Sequence, residues 1–198
     1  TASREIDFDA VKEEIRAGYI TSRKHPTADL YVLNYTPKCQ FAWRWNTETM
    51  NCRGLIVDGE NRIVARPFQK FFTYEQLEGN APSEPFEVYE KLDGSLGVLY
   101  FLGGKPHIAT RGSFESEMAK KANALLYGKY SHWLPYLQPQ LTYLFEVIYR
   151  ANRIVVDYGE TEELFLLAAI ETETGIEIPI DSIVWQPRAR RFDGLADF

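Results

Sequence analysis

The sequence predicts an α+β fold, with largely antiparallel β-sheets and flanking helices, and three observations carry that expectation. Strand-like segments recur along the chain, turn residues join them at hairpin spacing, and only two stretches have helical periodicity. At 198 residues, with 45% hydrophobic and 25% charged composition, the chain suits a single globular domain.

The first helix is expected from Phe8 to Ile15, where Phe8, Val11 and Ile15 share a face, Asp7 can cap the start and Gly18 can end it. Strands are expected at Leu30 to Tyr35, Gly54 to Val57 and Ile63 to Arg66, the last two joined by a turn at Asp58-Gly59-Glu60-Asn61. A second group runs Phe86 to Lys91 and Gly97 to Leu102, turns at Gly103-Gly104 and returns through His107 to Thr110. Between the two groups, Glu78 to Pro85 has loop composition. Ser116 to Leu126 is the second helix, stopping near Gly128. Further strands are expected at Tyr143 to Ile148, Arg153 to Val156, Leu164 to Ile170 and Ile176 to Ile178.

Several function classes drop out. The longest apolar run, Leu164 to Ile170, is far short of the roughly 18 residues of a membrane span, so no membrane partner is expected. Cys39 and Cys52 are too few for a disulfide framework and too far apart for a CxxC site, which suggests reduced thiols in a cytoplasmic protein. His25, His107 and His132 lack metal-ligand spacing, and no GxxxxGK[ST] loop is present to hold a nucleotide. A net charge of −6 argues against polyanion binding by bulk charge, leaving local basic sites. Arg188, Arg190 and Arg191 form one such cluster, for which a solvated surface is the blander reading. The chain starts at Thr1 without a secretory signal, so a trimmed chain, or one that begins inside a longer protein, is expected.

The motif with chemical content is Glu90-Lys91-Leu92-Asp93-Gly94-Ser95, of the form KxDG. A lysine ending a strand in a partly dry pocket has a destabilised ammonium, and its free amine is a nucleophile for phosphorus. Asp93, two residues on, would share its face of an extended segment and could orient the amine or a metal-bound water, while Gly94 would let the backbone approach a ligand. The alternative is an exposed hairpin with Asp93-Gly94 as turn and Lys91 in solvent. About 0.05 such motifs are expected by chance in a chain this long, so company decides. That company is Cys52-Arg53-Gly54, Arg66-Pro67-Phe68-Gln69-Lys70-Phe71-Phe72, Thr110-Arg111-Gly112-Ser113 and Phe145-Glu146. Phe68, Phe71, Phe72 and Phe145 are read as packing, because with 14% aromatics most must be core.

From about Leu30 to Ile178, the order and spacing of Asn34-Tyr35, CRGLIV, RPFQKFF, EKLDGS, TRGS, FEVIYRANRIVVDY and LLAAIETETG resemble the RNA ligases of the phage T4 RNA ligase 1 type, within the covalent nucleotidyltransferases. The resemblance implies a nucleotidyltransferase (ATP-grasp-like ligase) domain over 1–198, with ATP as substrate and Mg²⁺ as cofactor. It implies Lys91 as the lysine that takes AMP, with Asp93 and Gly94 completing its motif. Arg53 and Lys70 match positions that contact the triphosphate, and Arg111 matches a basic position near the lysine. Glu146 matches an acid that handles ribose or metal, and Arg153 is a candidate to touch ligand or brace Glu146. The implied partners are RNA ends, in RNA or tRNA repair, with a kinase-phosphatase as a candidate end-healing partner.

Two family elements, a strand with a second metal-binding glutamate and a KxK-like strand, are not found after Ile178, so the domain is expected to be incomplete at its C-terminus. Two other readings stand beside RNA ligation: a DNA ligase or capping-type nucleotidyltransferase, and a degenerate nucleotide- or RNA-binding module without catalysis.

Overall fold

A computed structural model of the protein describes residues 4–77, 85–149 and 159–192. Its strands form two antiparallel sheets and a small ribbon. The four-stranded sheet has the order β1 (Ile20–Lys24), β2 (Leu30–Tyr35), β3 (Arg53–Asp58), β4 (Ile63–Ala65). The five-stranded sheet has the order β10 (Glu177–Ile178), β9 (Glu163–Glu171), β8 (Leu141–Ile148), β6 (Ser95–Leu102), β7 (Lys105–Thr110). Two-residue strands β5 (Val88–Tyr89) and β11 (Arg191–Phe192) pair with each other.

The sheets pack face to face, because the period of two turns one set of side chains on each strand toward the partner sheet. Leu30, Val32, Ile56 and Ala65 of the smaller sheet meet Val98, Tyr100, Ala109, Leu144, Ala168 and Ile170 of the larger. Helix α1 (Phe8–Arg16) covers the outer face of the smaller sheet through Val11, against Leu33, Leu55 and Val57. Helix α4 (Glu117–Tyr127) covers the outer face of the larger one through Ala122, Leu125 and Leu126. The result is four layers.

Capping explains where the helices begin. The Asp7 carboxylate accepts from the Asp9 and Ala10 amides, and the Ser116 hydroxyl from the Ala119 amide. At the sheet margin, Asn123 of α4 accepts from the Ile108 amide and donates to its carbonyl, occupying the free edge of β7. Gly103 and Gly104, with φ of +58° and +77°, make the two-residue β6–β7 turn that L side chains resist.

Most expected elements are present within a residue or two. The strand from Phe86 to Lys91 is a correction: only Val88–Tyr89 is strand, so Lys91 lies beyond its end. Short helices α2 (Pro37–Phe41) and α3 (Thr47–Asn51), and strand β1, were not anticipated. The expected strand Arg153 to Val156 and most of the loop from Glu78 to Pro85 lie outside the described residues. Cys39 and Cys52 are buried free thiols. Among the described residues no helix is long and apolar enough to cross a membrane.

Candidate functional site

A cavity of about 890 Å³ opens between the two sheets, lined among others by Asn34, Arg53, Lys91, Arg111, Gly94 and Glu146. Each is placed by a local feature of the chain.

Arg53 is positioned by a bulge. Leu33 pairs with Leu55 but Asn34 pairs with Arg53, leaving Gly54 as the extra residue at φ +94°. A Cβ on Gly54 would stand 3.1 Å from the Arg111 Cα, so glycine at this point lets the Thr110–Arg111–Gly112 corner close on β3. Arg53 and Arg111 are thereby forced together. Burial lowers the Arg53 pKa, and the neighbouring Arg111 lowers it further. Burial likewise lowers that of Lys70, with Arg53 and Arg111 adding to the effect. Three cations in mutual repulsion make a site that favours an anion.

Polar satisfaction points the same way. Arg53 Nη1 and Asn34 Oδ1 are buried with no hydrogen-bond partner among the described residues, against the rule that buried polar groups are paired. Arg53 also lies over the Phe71 ring, its guanidinium carbon 4.9 Å from the centroid. Arg111 Nη1 donates to the Tyr35 hydroxyl at 3.2 Å.

Glu146 comes from β8, where it pairs with Leu96 of β6. Its Oε1 accepts from the Gly94 amide at 2.9 Å. Desolvation raises its carboxyl above the ordinary value; the Gly94 amide, Lys91 and Arg53 pull it down, and Asp93 pushes it up. Gly94 has no room for a side chain, since a Cβ would lie 2.6 Å from the Val147 carbonyl oxygen. The KxDG motif is thus pressed backbone to backbone against the strand that carries Glu146.

Lys91 lies in the cavity wall but is exposed, which corrects the expectation of a dry lysine. Its place is set by neighbours. Leu92 is buried against Ile148 and Ala189, so the variable position of KxDG is an anchor that turns Lys91 outward. Glu90 exchanges two bonds with Arg190: its amide donates to the Arg190 carbonyl at 2.8 Å, and its carboxylate accepts from the Arg190 amide at 2.6 Å. The C-terminal segment thus clasps the residue before the lysine.

Among the expected site residues, the cavity wall unites Lys91, Gly94, Arg53, Arg111 and Glu146. Asp93 is half-buried within electrostatic reach of Glu146. Lys70 sits to one side, donating to the Phe71 carbonyl, its ammonium 4.5 Å from the Phe72 centroid. Arg153 lies outside the described residues. Phe145 is core as expected, and Phe68 packs partly buried against the inter-sheet core while also lining the cavity; Phe71 lines the cavity and is 60% exposed, correcting its reading as packing. Sequence reasoning also missed Tyr89, Thr110, Met118 and Glu177 in the lining. The arginine cluster near the C-terminus is structural in part: Arg188 bonds the Trp185 carbonyl and Asp181, and Arg191 pairs with Glu87.

No group of three candidate metal ligands occurs among the described residues. Glu146 and Asp93, close enough to influence each other, do fit an ion such as Mg²⁺ that takes one or two carboxylates and completes its shell with substrate phosphates and water.

Comparison with known proteins bears on the family and the fold. Residues 51–183 match a family model described as RNA ligase, of the phage T4 type. The chain is 31% identical over 173 residues to the "Putative bifunctional polynucleotide kinase/RNA ligase" of Autographa californica nuclear polyhedrosis virus, covering 74% of this chain and 25% of that protein. It is 27% identical over 190 residues to the "RNA ligase" of Rhodothermus phage RM378, covering 74% and 43%. The chain therefore spans less than half the length of these curated relatives. In fold it is similar to a "Putative ATP-dependent DNA ligase from Aquifex aeolicus", with a TM-score of 0.53 and 15% identity, over 94% of this chain and 51% of the other. With its antiparallel α+β architecture and a family match across more than half its length, the chain belongs to the RNA ligase family.

Proposed function

We propose that this chain is the nucleotidyltransferase part of an ATP-dependent RNA ligase that joins 5′-phosphate to 3′-hydroxyl ends, with Lys91 as the nucleophile. The observation that carries the reading is the unpartnered, buried Arg53 Nη1 in a cavity wall shared with Lys91, Arg111 and Glu146. A buried guanidinium with a spare donor and two cationic neighbours suits a triphosphate.

In the first step Lys91, its ammonium having released one proton, attacks as the amine, forms an N–P bond to the α-phosphorus and gives up a second proton to solvent. The bond to the bridging oxygen breaks and pyrophosphate leaves. Arg53, Lys70 and Arg111 stabilise the charge gathering on the leaving group, the main contribution a protein makes to phosphoryl transfer. Glu146, fixed by the Gly94 amide, would handle ribose or metal. Bound at Glu146 and Asp93, Mg²⁺ would neutralise phosphate charge. An RNA 5′-phosphate oxygen then takes AMP from Lys91, and a 3′-hydroxyl displaces AMP to form the phosphodiester. A role in RNA repair, and a kinase-phosphatase that prepares the ends, belong to the same proposal; the viral relative's name pairs a kinase with a ligase.

The test is intact-mass spectrometry after incubation with ATP and Mg²⁺. Wild-type protein should gain one AMP, lost again on addition of 5′-phosphorylated RNA. No gain, or a gain that survives Lys91→Ala, would refute the reading.

A further inference from the structure

A run of aromatic rings leads from the cavity wall to the surface. It begins at Tyr35, held under Arg111 with 5.2 Å from guanidinium carbon to ring centroid. Trp45 meets Tyr35 edge to face at 5.0 Å between centroids, Phe72 lies 5.8 Å beyond Trp45, and Trp43 lies 5.4 Å from Phe72. The outer rings face solvent: Trp43 is 55% exposed and Phe41, two residues earlier, 90%. Lys70 is set into this run, over both Phe72 and Trp45. Neither Lys70 nor Arg111 is paired with an acid among the described residues.

The backbone at Trp43 adds an independent observation. Helix α2 ends in a Schellman motif, with the Trp43 amide donating to the Gln40 carbonyl at 3.2 Å and the Arg44 amide to the Cys39 carbonyl at 3.0 Å. That motif requires a left-handed residue, usually glycine, and Trp43 fills it at φ +51°. A large side chain in this conformation is strained, and such strain clusters at functional sites. Burial does not explain it, since most of the indole is in solvent.

We propose that this ladder is a stacking platform for the unpaired bases of single-stranded RNA approaching the cavity. The inference rests on the RNA-joining function above and goes beyond it by assigning the surface that holds the strand. Exposed indole and phenyl faces accept any base, and interleaved cations follow the phosphates, which is how proteins hold single strands without reading sequence. The chain is acidic overall, so a local surface of this kind is needed for a polyanion to dock.

The decisive variant is Trp43→Gly, which removes the indole while supplying the residue the backbone prefers. Its melting temperature should equal or exceed that of wild type. Fluorescence anisotropy with a labelled short single-stranded RNA should show affinity roughly 5- to 100-fold weaker, from the loss of one stacked base. Trp43→Phe should retain most of the affinity, and RNA should quench the tryptophan fluorescence of the wild type more than that of Trp43→Gly. Unchanged affinity in Trp43→Gly would overturn the proposal. So would a dimer in sedimentation that Trp43→Gly abolishes while RNA affinity stays the same, because the surface would then belong to a second copy. AMP transfer to Lys91, measured with ATP and Mg²⁺ but no RNA, reads the ligase assignment separately: an adduct without Trp43-dependent RNA binding sinks the platform only, and the reverse sinks the ligase assignment only.

Discussion

Two arginines of the smaller sheet's neighbourhood reach toward the larger sheet, and their surroundings differ. Arg66, just past β4, has every guanidinium nitrogen bonded: Nε donates to the Thr172 carbonyl, Nη1 to the Arg4 carbonyl and Nη2 to the Glu173 carbonyl, while its amide donates to Thr142 at the start of β8. Arg53 lies within reach of Glu146, four residues further along β8, and keeps a buried donor unpaired beside two other cations. One region of the cleft is sealed by an arginine whose bonds are all internal. The other holds an arginine with a donor that no described residue satisfies.

That contrast can be broken by parallel substitutions. Arg66→Ala strands the buried Thr172 carbonyl and two part-buried ones, and should destabilise the protein by roughly 3 kcal/mol, read as a lowered denaturation midpoint. Arg53→Ala should leave stability unchanged or raise it, since a desolvated, repelled cation is removed. Equal losses for the two would erase the distinction. Gly94→Ala comes next: with 2.6 Å to the Val147 carbonyl, β6 and β8 must part, at about 2 kcal/mol, and AMP addition should fall with it.

Glu146→Gln sharpens the comparison with the smallest effect. Burial raises the folded-state pKa of Glu146, so the folded chain holds this proton more tightly than the unfolded one. The resulting stability is present below the unfolded value and lost as pH rises through the folded value. Glutamine keeps an oxygen for the Gly94 amide without the charge. The variant should be as stable as wild type or more so at neutral pH, with a flatter slope above the ordinary carboxylate range. An unchanged slope in a pH series of denaturant titrations would contradict this.

How far the sequence was legible follows from what kind of signal each part leaves. Leu30 to Tyr35 was read to the residue because its apolar pattern is dense. Strand β1, Ile-Thr-Ser-Arg-Lys, buries only Ile20 and looks like a loop. Helices α2 and α3 are too short for periodicity; their caps Thr36 and Asn46 were the available signals. The β5–β11 pair joins residues a hundred positions apart, and no local pattern encodes it. At the site, the charged residues were visible through motif company, whereas the exposure of Lys91, Phe71 and Trp43 depends on which neighbours, such as Leu92, take the buried positions.

The most direct test is the time course of AMP attachment at Lys91, followed by peptide mapping, in wild type and Arg53→Ala with ATP and Mg²⁺. The account predicts an adduct on Lys91 alone, formed about 10²-fold more slowly without the arginine. Equal rates in the two proteins, or AMP on a different lysine, would contradict it.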